Sequence, residues 1–84
     1  MEKKKVMERL LMYKIYSTKL CGYCVMAKQA LKNRDIEYED IDVHETPEAA
    51  VYLRSNNLKT VPQIYDSEGN HIGGYTDLIQ SWKD

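Results

Sequence analysis

The chain has 84 residues, with 12 Lys and Arg against 13 Asp and Glu, a formal net charge of -1 and 43% hydrophobic residues. That is enough for one small domain and too little for two, and the balanced charge lacks the cation excess on which nucleic-acid binding rests. No apolar run approaches the roughly 18 residues of a membrane span, and no secretory apolar core follows the charged N-terminus, so the expectation is a cytoplasmic protein without nucleic-acid or membrane partners.

Residues 1–11 are dense in charge, with Val6, Met7, Leu10 and Leu11 at helix-like spacing. They read as a helical or frayed extension ahead of a domain over residues 12–84, and a start at Met12 would leave that domain intact. Residues 12–16 alternate and carry aromatic and β-branched side chains, which predicts a strand, and residues 17–20 form a loop leading to Cys21. From Tyr23 the period becomes helical, with Val25, Met26, Ala30 and Leu31 as the apolar stripe and Asn33-Arg34-Asp35 as the stop. Residues 36–43 alternate apolar and acidic side chains, as a half-buried strand does.

Thr46 then suits a helix N-cap and Pro47 the first helical position, with Ala49, Ala50 and Leu53 facing inward until Ser55-Asn56-Asn57 ends the helix. Residues 61–65 predict a third strand, residues 66–70 a hairpin turn, and residues 71–73 a short fourth strand. A last helix after Gly74 carries Leu78, Ile79 and Trp82. The order β-α-β-α-β-β-α predicts an α/β fold, a central mixed sheet of four strands with helices on both faces. Tyr13, Tyr16, Tyr38, Tyr52 and Tyr65 read as packing residues rather than a substrate stripe.

Cys21-Gly22-Tyr23-Cys24 falls at the junction of strand, loop and helix. A bridge between these two cysteines closes too short a loop to restrain the unfolded chain, so the pair points to metal or redox chemistry rather than to a structural staple. At a helix N-terminus, the Cys21 sulfur would face unpaired N–H groups and the positive end of the helix dipole, both of which favour thiolate over thiol. Lys19 would add a nearby positive charge, whereas Cys24, one turn into the helix, would be less exposed. A more acidic thiol attacks hardly faster overall, because its nucleophilicity falls as its thiolate fraction rises, but it leaves a mixed disulfide faster. That suits repeated making and breaking of disulfides. A zinc site would need about four ligands, and His44 and His71 are the only other soft candidates, outside finger spacing.

The chain resembles the glutaredoxins, small thioredoxin-fold proteins that reduce disulfides using glutathione, over residues 12–82. The likeness rests on three blocks in order: Cys21-Gly22-Tyr23-Cys24, then Thr60-Val61-Pro62-Gln63-Ile64-Tyr65, then His71-Ile72-Gly73-Gly74-Tyr75-Thr76-Asp77. It implies a dithiol glutaredoxin in which Cys21 attacks and either Cys24 or a second glutathione resolves the mixed disulfide. It further implies a monomer with glutathione as cosubstrate and no obligatory metal, acting on disulfide-bearing or glutathionylated proteins, ribonucleotide reductase among them. Pro62 is implied to be cis and to face the cysteines, leaving the Val61 backbone free to pair with an extended peptide. The γ-glutamyl end of glutathione is implied to lie at the start of the last helix, with Gly74, Tyr75, Thr76 and Asp77, while Tyr23 lines the groove by the sulfur beside Thr60.

Each block also has a plain structural reading: Thr60 and Pro62 can shape a strand entrance, Thr76 and Asp77 can cap a helix, and Gly73-Gly74 can make a turn. Two departures matter. Gly22 stands where many glutaredoxins have Pro, and Thr18 stands where they have a basic residue, with Lys19 one place later and Lys59 as a second candidate for the glycyl carboxylate. Gly22 loosens the first turn and leads us to expect a shifted redox potential. Two other readings stay open: a redoxin regenerated by thioredoxin reductase, and a dimer holding a [2Fe–2S] cluster through Cys21 and glutathione.

Overall fold

A computed structural model describes residues 12–83; the extension expected over residues 1–11 lies outside them. The strands are β1 (Tyr13–Ser17), β2 (Tyr38–Asp42), β3 (Gln63–Tyr65) and β4 (His71–Gly73), and the helices are α1 (Gly22–Asn33), α2 (Pro47–Ser55) and α3 (Tyr75–Ser81). Their order is the one expected. The sheet runs β2-β1-β3-β4, with β1 parallel to β2, antiparallel to β3, and β3 antiparallel to β4.

Alternation along β1 sends Tyr13, Ile15 and Ser17 to one face and Lys14 and Tyr16 to the other. On the first face Ile15 and Ile64 meet Ala27 and Leu31 of α1 and Leu78 of α3, with Trp82 packed at the margin. On the second, Tyr16 meets Ala49 and Leu53 of α2. The guanidinium of Arg34 stacks over the Trp82 ring at 4.3 Å, tying the end of α1 to the end of α3.

Two details depart from the sequence pattern. In α1 the residues turned inward are Cys24, Ala27 and Leu31, while Val25 and Met26 are 59% and 46% exposed. The small apolar Cys24 and Ala27 set the phase of the helix, in place of the larger Val25 and Met26. The third ladder begins at Gln63 rather than at residue 61, because Pro62 has no N–H to give it.

The end of β1 is held from below. Buried Ser17 donates its hydroxyl to the Asp40 carboxylate at 2.6 Å, and Lys28 of α1 approaches the same carboxylate at 2.7 Å. Burial would push the Asp40 carboxyl up, but the hydrogen bonds from Lys28 and Ser17, with the Lys28 charge, hold it below the usual range. Helix α2 opens at an extended Thr46 whose carbonyl accepts the Ala49 N–H at 2.9 Å, its hydroxyl making no cap bond. In the β3–β4 turn Asp66 accepts the N–H groups of Glu68 and Asn70, both at 2.9 Å.

Candidate active site

The carboxyl ends of β1 and β2 point to the same edge of the sheet, where ligands of open α/β sheets collect. The loop after β1 delivers Cys21 to the N-cap of α1, with φ -130° and ψ 106°, and its Sγ accepts the N–H of Cys24 at 3.1 Å. No acidic side chain lies in the first turn of α1. Cys21 and Cys24 are joined as a disulfide. Cys21 is half-buried and Cys24 is fully buried, so only the first sulfur is open to an incoming molecule. When the bond is reduced, the same N–H and the helix dipole act on the Cys21 sulfur and favour its thiolate.

Two chain segments form a groove with Tyr23 of the same helix. The Val61–Pro62 peptide is cis, as the resemblance implies, and the Val61 carbonyl oxygen lies 3.7 Å from the Cys21 Sγ. The buried side-chain amide of Gln63 secures this segment by donating to the Thr60 carbonyl at 2.9 Å, while its oxygen meets Nε2 of His71 at 2.7 Å. Opposite runs the turn into α3. Gly73 has φ +121°, and a Cβ there would overlap the Asp77 carboxylate, so glycine is required twice over. That carboxylate accepts the Gly74 N–H at 3.0 Å.

Between the two segments lies a groove of about 340 Å³ lined by Tyr23, Thr60, Val61, Pro62, Gly74, Tyr75, Thr76 and Asp77. The Tyr23 and Tyr75 rings lie side by side in its lining, tilted by 32° with centroids 6.1 Å apart. Eight of the residues singled out in the sequence thus meet in one place. Lys19 and Lys59 do not line the groove: Lys19 pairs with Glu45 in an exposed contact, which raises its pKa mainly through that hydrogen bond, and Lys59 borders a neighbouring cleft. Gln63, which fastens Thr60, stood in the second block without a role of its own, and Glu45, which holds Lys19, was not singled out. A lone glutamine inside the apolar run from residue 61 to 65 was the available signal for the first; Glu45 had none.

His44 and His71 form no metal-holding group, and none of three or more His, Cys, Asp or Glu side chains occurs among the described residues. No helix among those residues is long and apolar enough to cross a membrane.

The family model for glutaredoxin matches residues 13–72. The chain belongs to the glutaredoxin family. A glutaredoxin of Pseudomonas aeruginosa is 40% identical over 65 residues, covering 76% of each chain, and one of Neisseria meningitidis is 36% identical over 68 residues, covering 79% of each. Among solved structures, the glutaredoxin-like NrdH-redoxin of Escherichia coli superposes with a TM-score of 0.74 at 28% identity, over 88% of this chain and 97% of its own. The glutaredoxin of Brucella melitensis does so with a TM-score of 0.69 at 34% identity, over 83% of this chain and 76% of its own.

Glutaredoxins as a family are thiol–disulfide oxidoreductases with glutathione as cosubstrate, and the thioredoxin-like fold with its disulfide-forming pair equips this chain for thiol–disulfide exchange. The pair exchanges two electrons, and the substrate disulfide is reduced as the Cys21–Cys24 disulfide forms.

Proposed function

We propose that this chain is a glutathione-dependent thiol–disulfide oxidoreductase of the cytoplasm, folded over residues 12–84. It acts as a monomer on protein disulfides and on protein–glutathione mixed disulfides, with ribonucleotide reductase among its acceptors. The observation that carries this reading is the groove that joins the Val61 edge, whose carbonyl lies 3.7 Å from the Cys21 sulfur, to Tyr23 and the start of α3.

The Cys21 thiolate attacks one sulfur of the substrate disulfide, forms a mixed disulfide and releases the other sulfur as thiolate. Where the remaining half is glutathione, a second glutathione attacks its sulfur, leaves as glutathione disulfide and frees the Cys21 thiolate; otherwise the Cys24 thiolate attacks the Cys21 sulfur, frees the remaining half of the substrate as thiolate and closes the Cys21–Cys24 disulfide. Two glutathione molecules return the two electrons and leave as glutathione disulfide. The cysteinyl backbone of glutathione pairs with Val61, and its ammonium meets Asp77, whose second carboxylate oxygen is free of the Gly74 bond. Tyr23 covers the sulfur, and Lys59 serves the glycyl carboxylate, with Lys19 available once Glu45 is displaced.

The test is glutathione-coupled reduction of a small mixed disulfide, read as NADPH oxidation by added glutathione reductase. Cys21→Ser is expected to lose turnover by at least about a thousandfold, whereas Cys24→Ser retains reduction of glutathionylated substrates. Equal loss in both variants would contradict this division of roles. Inactive but folded and reduced wild type would sink the glutathione reading.

A second reading is favoured by the likeness to the NrdH-redoxin, a glutaredoxin-like protein with a thioredoxin-like activity profile, which this chain covers over 97% of its length. Regeneration by thioredoxin reductase, with weak turnover by glutathione, would establish it.

A further inference from the structure

A cleft of about 530 Å³ lies under α2 at the edge of the sheet where β1 and β2 end, across Val61 from the disulfide. Its floor is the margin of the second core: Val43, Leu53 and Leu58. Its border carries the exposed His44, Arg54 and Lys59, and no carboxylate lines it. Neither Arg54 nor Lys59 takes part in an ion pair among the described residues. Thr60 and Val61 belong both to this cleft and to the groove at Cys21, so the two form successive stations along one path.

The stations differ in sign. The only charged side chain lining the groove is Asp77, whereas the charged side chains lining the cleft are cationic. A tripeptide spans roughly 10 Å, and in the glutathione reading it occupies the groove and reaches out of it to Lys59 at the border of the cleft. Arg54, His44 and the apolar floor are left without a role in that reading, and their chemistry suits an apolar side chain flanked by carboxylates.

We propose that this cleft docks an acidic, leucine-like segment of the disulfide-bearing protein substrate, so that the substrate chain crosses Val61 with its carboxylates at Arg54 and Lys59. The inference rests on the oxidoreductase reading of the cysteine pair and adds the class of protein on which it acts. The chain's own residues 1–11 carry Lys3, Lys4, Lys5 and Arg9 against Glu2 and Glu8, a charge that Arg54 and Lys59 repel.

The test uses the full chain, pre-reduced, in single turnover and without glutathione. Two synthetic peptides each contain one intramolecular disulfide and differ only in the tail beside it, a leucine with two glutamates or a leucine with two lysines. The dithiol gives two electrons to the peptide disulfide and ends as the Cys21–Cys24 disulfide. At about 20 mM salt the acidic peptide is expected to react about tenfold faster than the basic one, narrowing to about twofold at 0.5 M. Arg54→Glu removes or reverses the preference and Arg54→Gln halves it on a logarithmic scale, while both variants reduce bis(2-hydroxyethyl) disulfide at the wild-type rate, which also certifies their folding.

Equal rates for the two peptides, a preference untouched by Arg54→Glu, or failure to reduce either peptide alongside normal reduction of the small disulfide would overturn the proposal. A concentration-dependent dimer that Arg54→Glu dissolves would also overturn it and assign the cleft to a second copy of the chain. Failure of the glutathione-coupled cycle with the peptide preference intact would instead strike the glutathione reading alone.

Discussion

On the α1–α3 face of the sheet the core is aliphatic and sealed: Ile15, Ala27, Leu31, Ile64 and Leu78 are each 0% exposed. On the α2 face the corresponding layer is Tyr16, Ala49 and Leu53, which retain 5–8% exposure, extended toward solvent by aromatic rings. Tyr16 stacks on Tyr52 at 5.4 Å, Tyr65 sits edge-on to both, and the hydroxyls of Tyr52 and Tyr65 are hydrogen-bonded at 2.7 Å. Two clefts open on this face, one beside the tyrosines and one beside Leu53, whereas the first face buries Cys24 completely. The face that carries the cysteine helix is fully buried at its centre, and the α2 face, on which the docking cleft is proposed, is less completely covered. Close packing resists displacement of the helix that carries the sulfur.

The largest effect expected from this contrast is mechanical. Leu31→Ala empties a site with no route for solvent and is expected to destabilise by about 3 kcal/mol or more, a fall of about 15 °C or more in Tm for a domain this small. Leu53→Ala opens toward an existing cleft that water can enter, so its cost is nearer 2 kcal/mol. Thermal unfolding of both variants would break the comparison if Leu53→Ala proved the more damaging.

Next in size is the polar tie beneath α1. Asp40 is held below the usual carboxylate range against the effect of its own burial, so its contribution is present above the unfolded carboxyl pKa of about 4 and is lost as pH falls through the lower folded value. Asp40→Asn should therefore cost about 1 kcal/mol at pH 7, discounted because the carboxylate is 41% exposed. The deficit should vanish in strong acid. A constant deficit from pH 7 to pH 2 in urea unfolding would show that the charge of Asp40 has no part in it.

Much of this arrangement was legible in the residues, because period and punctuation agreed. Alternation in β1, the Thr46-Pro47 start of α2 and the turn around Gly69 are local signals that the tertiary structure had no reason to override. The groove was readable through the family resemblance, whose three blocks also carry physical signatures: a thiol pair at a helix start, a proline that delays the start of a ladder, and a glycine turn. The phase of α1 was not readable from residue size. Val25 and Met26 are larger and more apolar than Ala27, yet the constraint that Cys21 sit at the N-cap beside Val61 turns Cys24, Ala27 and Leu31 inward and leaves Val25 and Met26 in water. The cleft under α2 was equally hidden, since Val43, Arg54 and Leu58 meet only through the packing of a helix on a sheet.

The smallest effect separates the faces at the alkaline end. Burial, then the hydrogen bond and charge of Tyr52 and the charge of Tyr16, push the Tyr65 phenol well above its ordinary value, and burial with Tyr52 and Glu39 raises that of Tyr16. A raised phenol contributes stability that is complete below the unfolded pKa of about 10 and is lost as pH rises through the folded one. Tyr52→Phe removes the partner hydroxyl at a cost of about 0.5–1 kcal/mol at neutral pH. It leaves the burial of Tyr65 in place, so the phenol stays raised, but by less. Tyrosinate absorbance should then rise at lower pH in the variant than in the wild type, and the stability gap between them should narrow above pH 10. Superimposable titrations would mean that Tyr52 and Tyr65 touch without coupling. The α2 face would then owe its alkaline sensitivity to burial alone, as an ordinary core does, and the aromatic layer would be packing and nothing more.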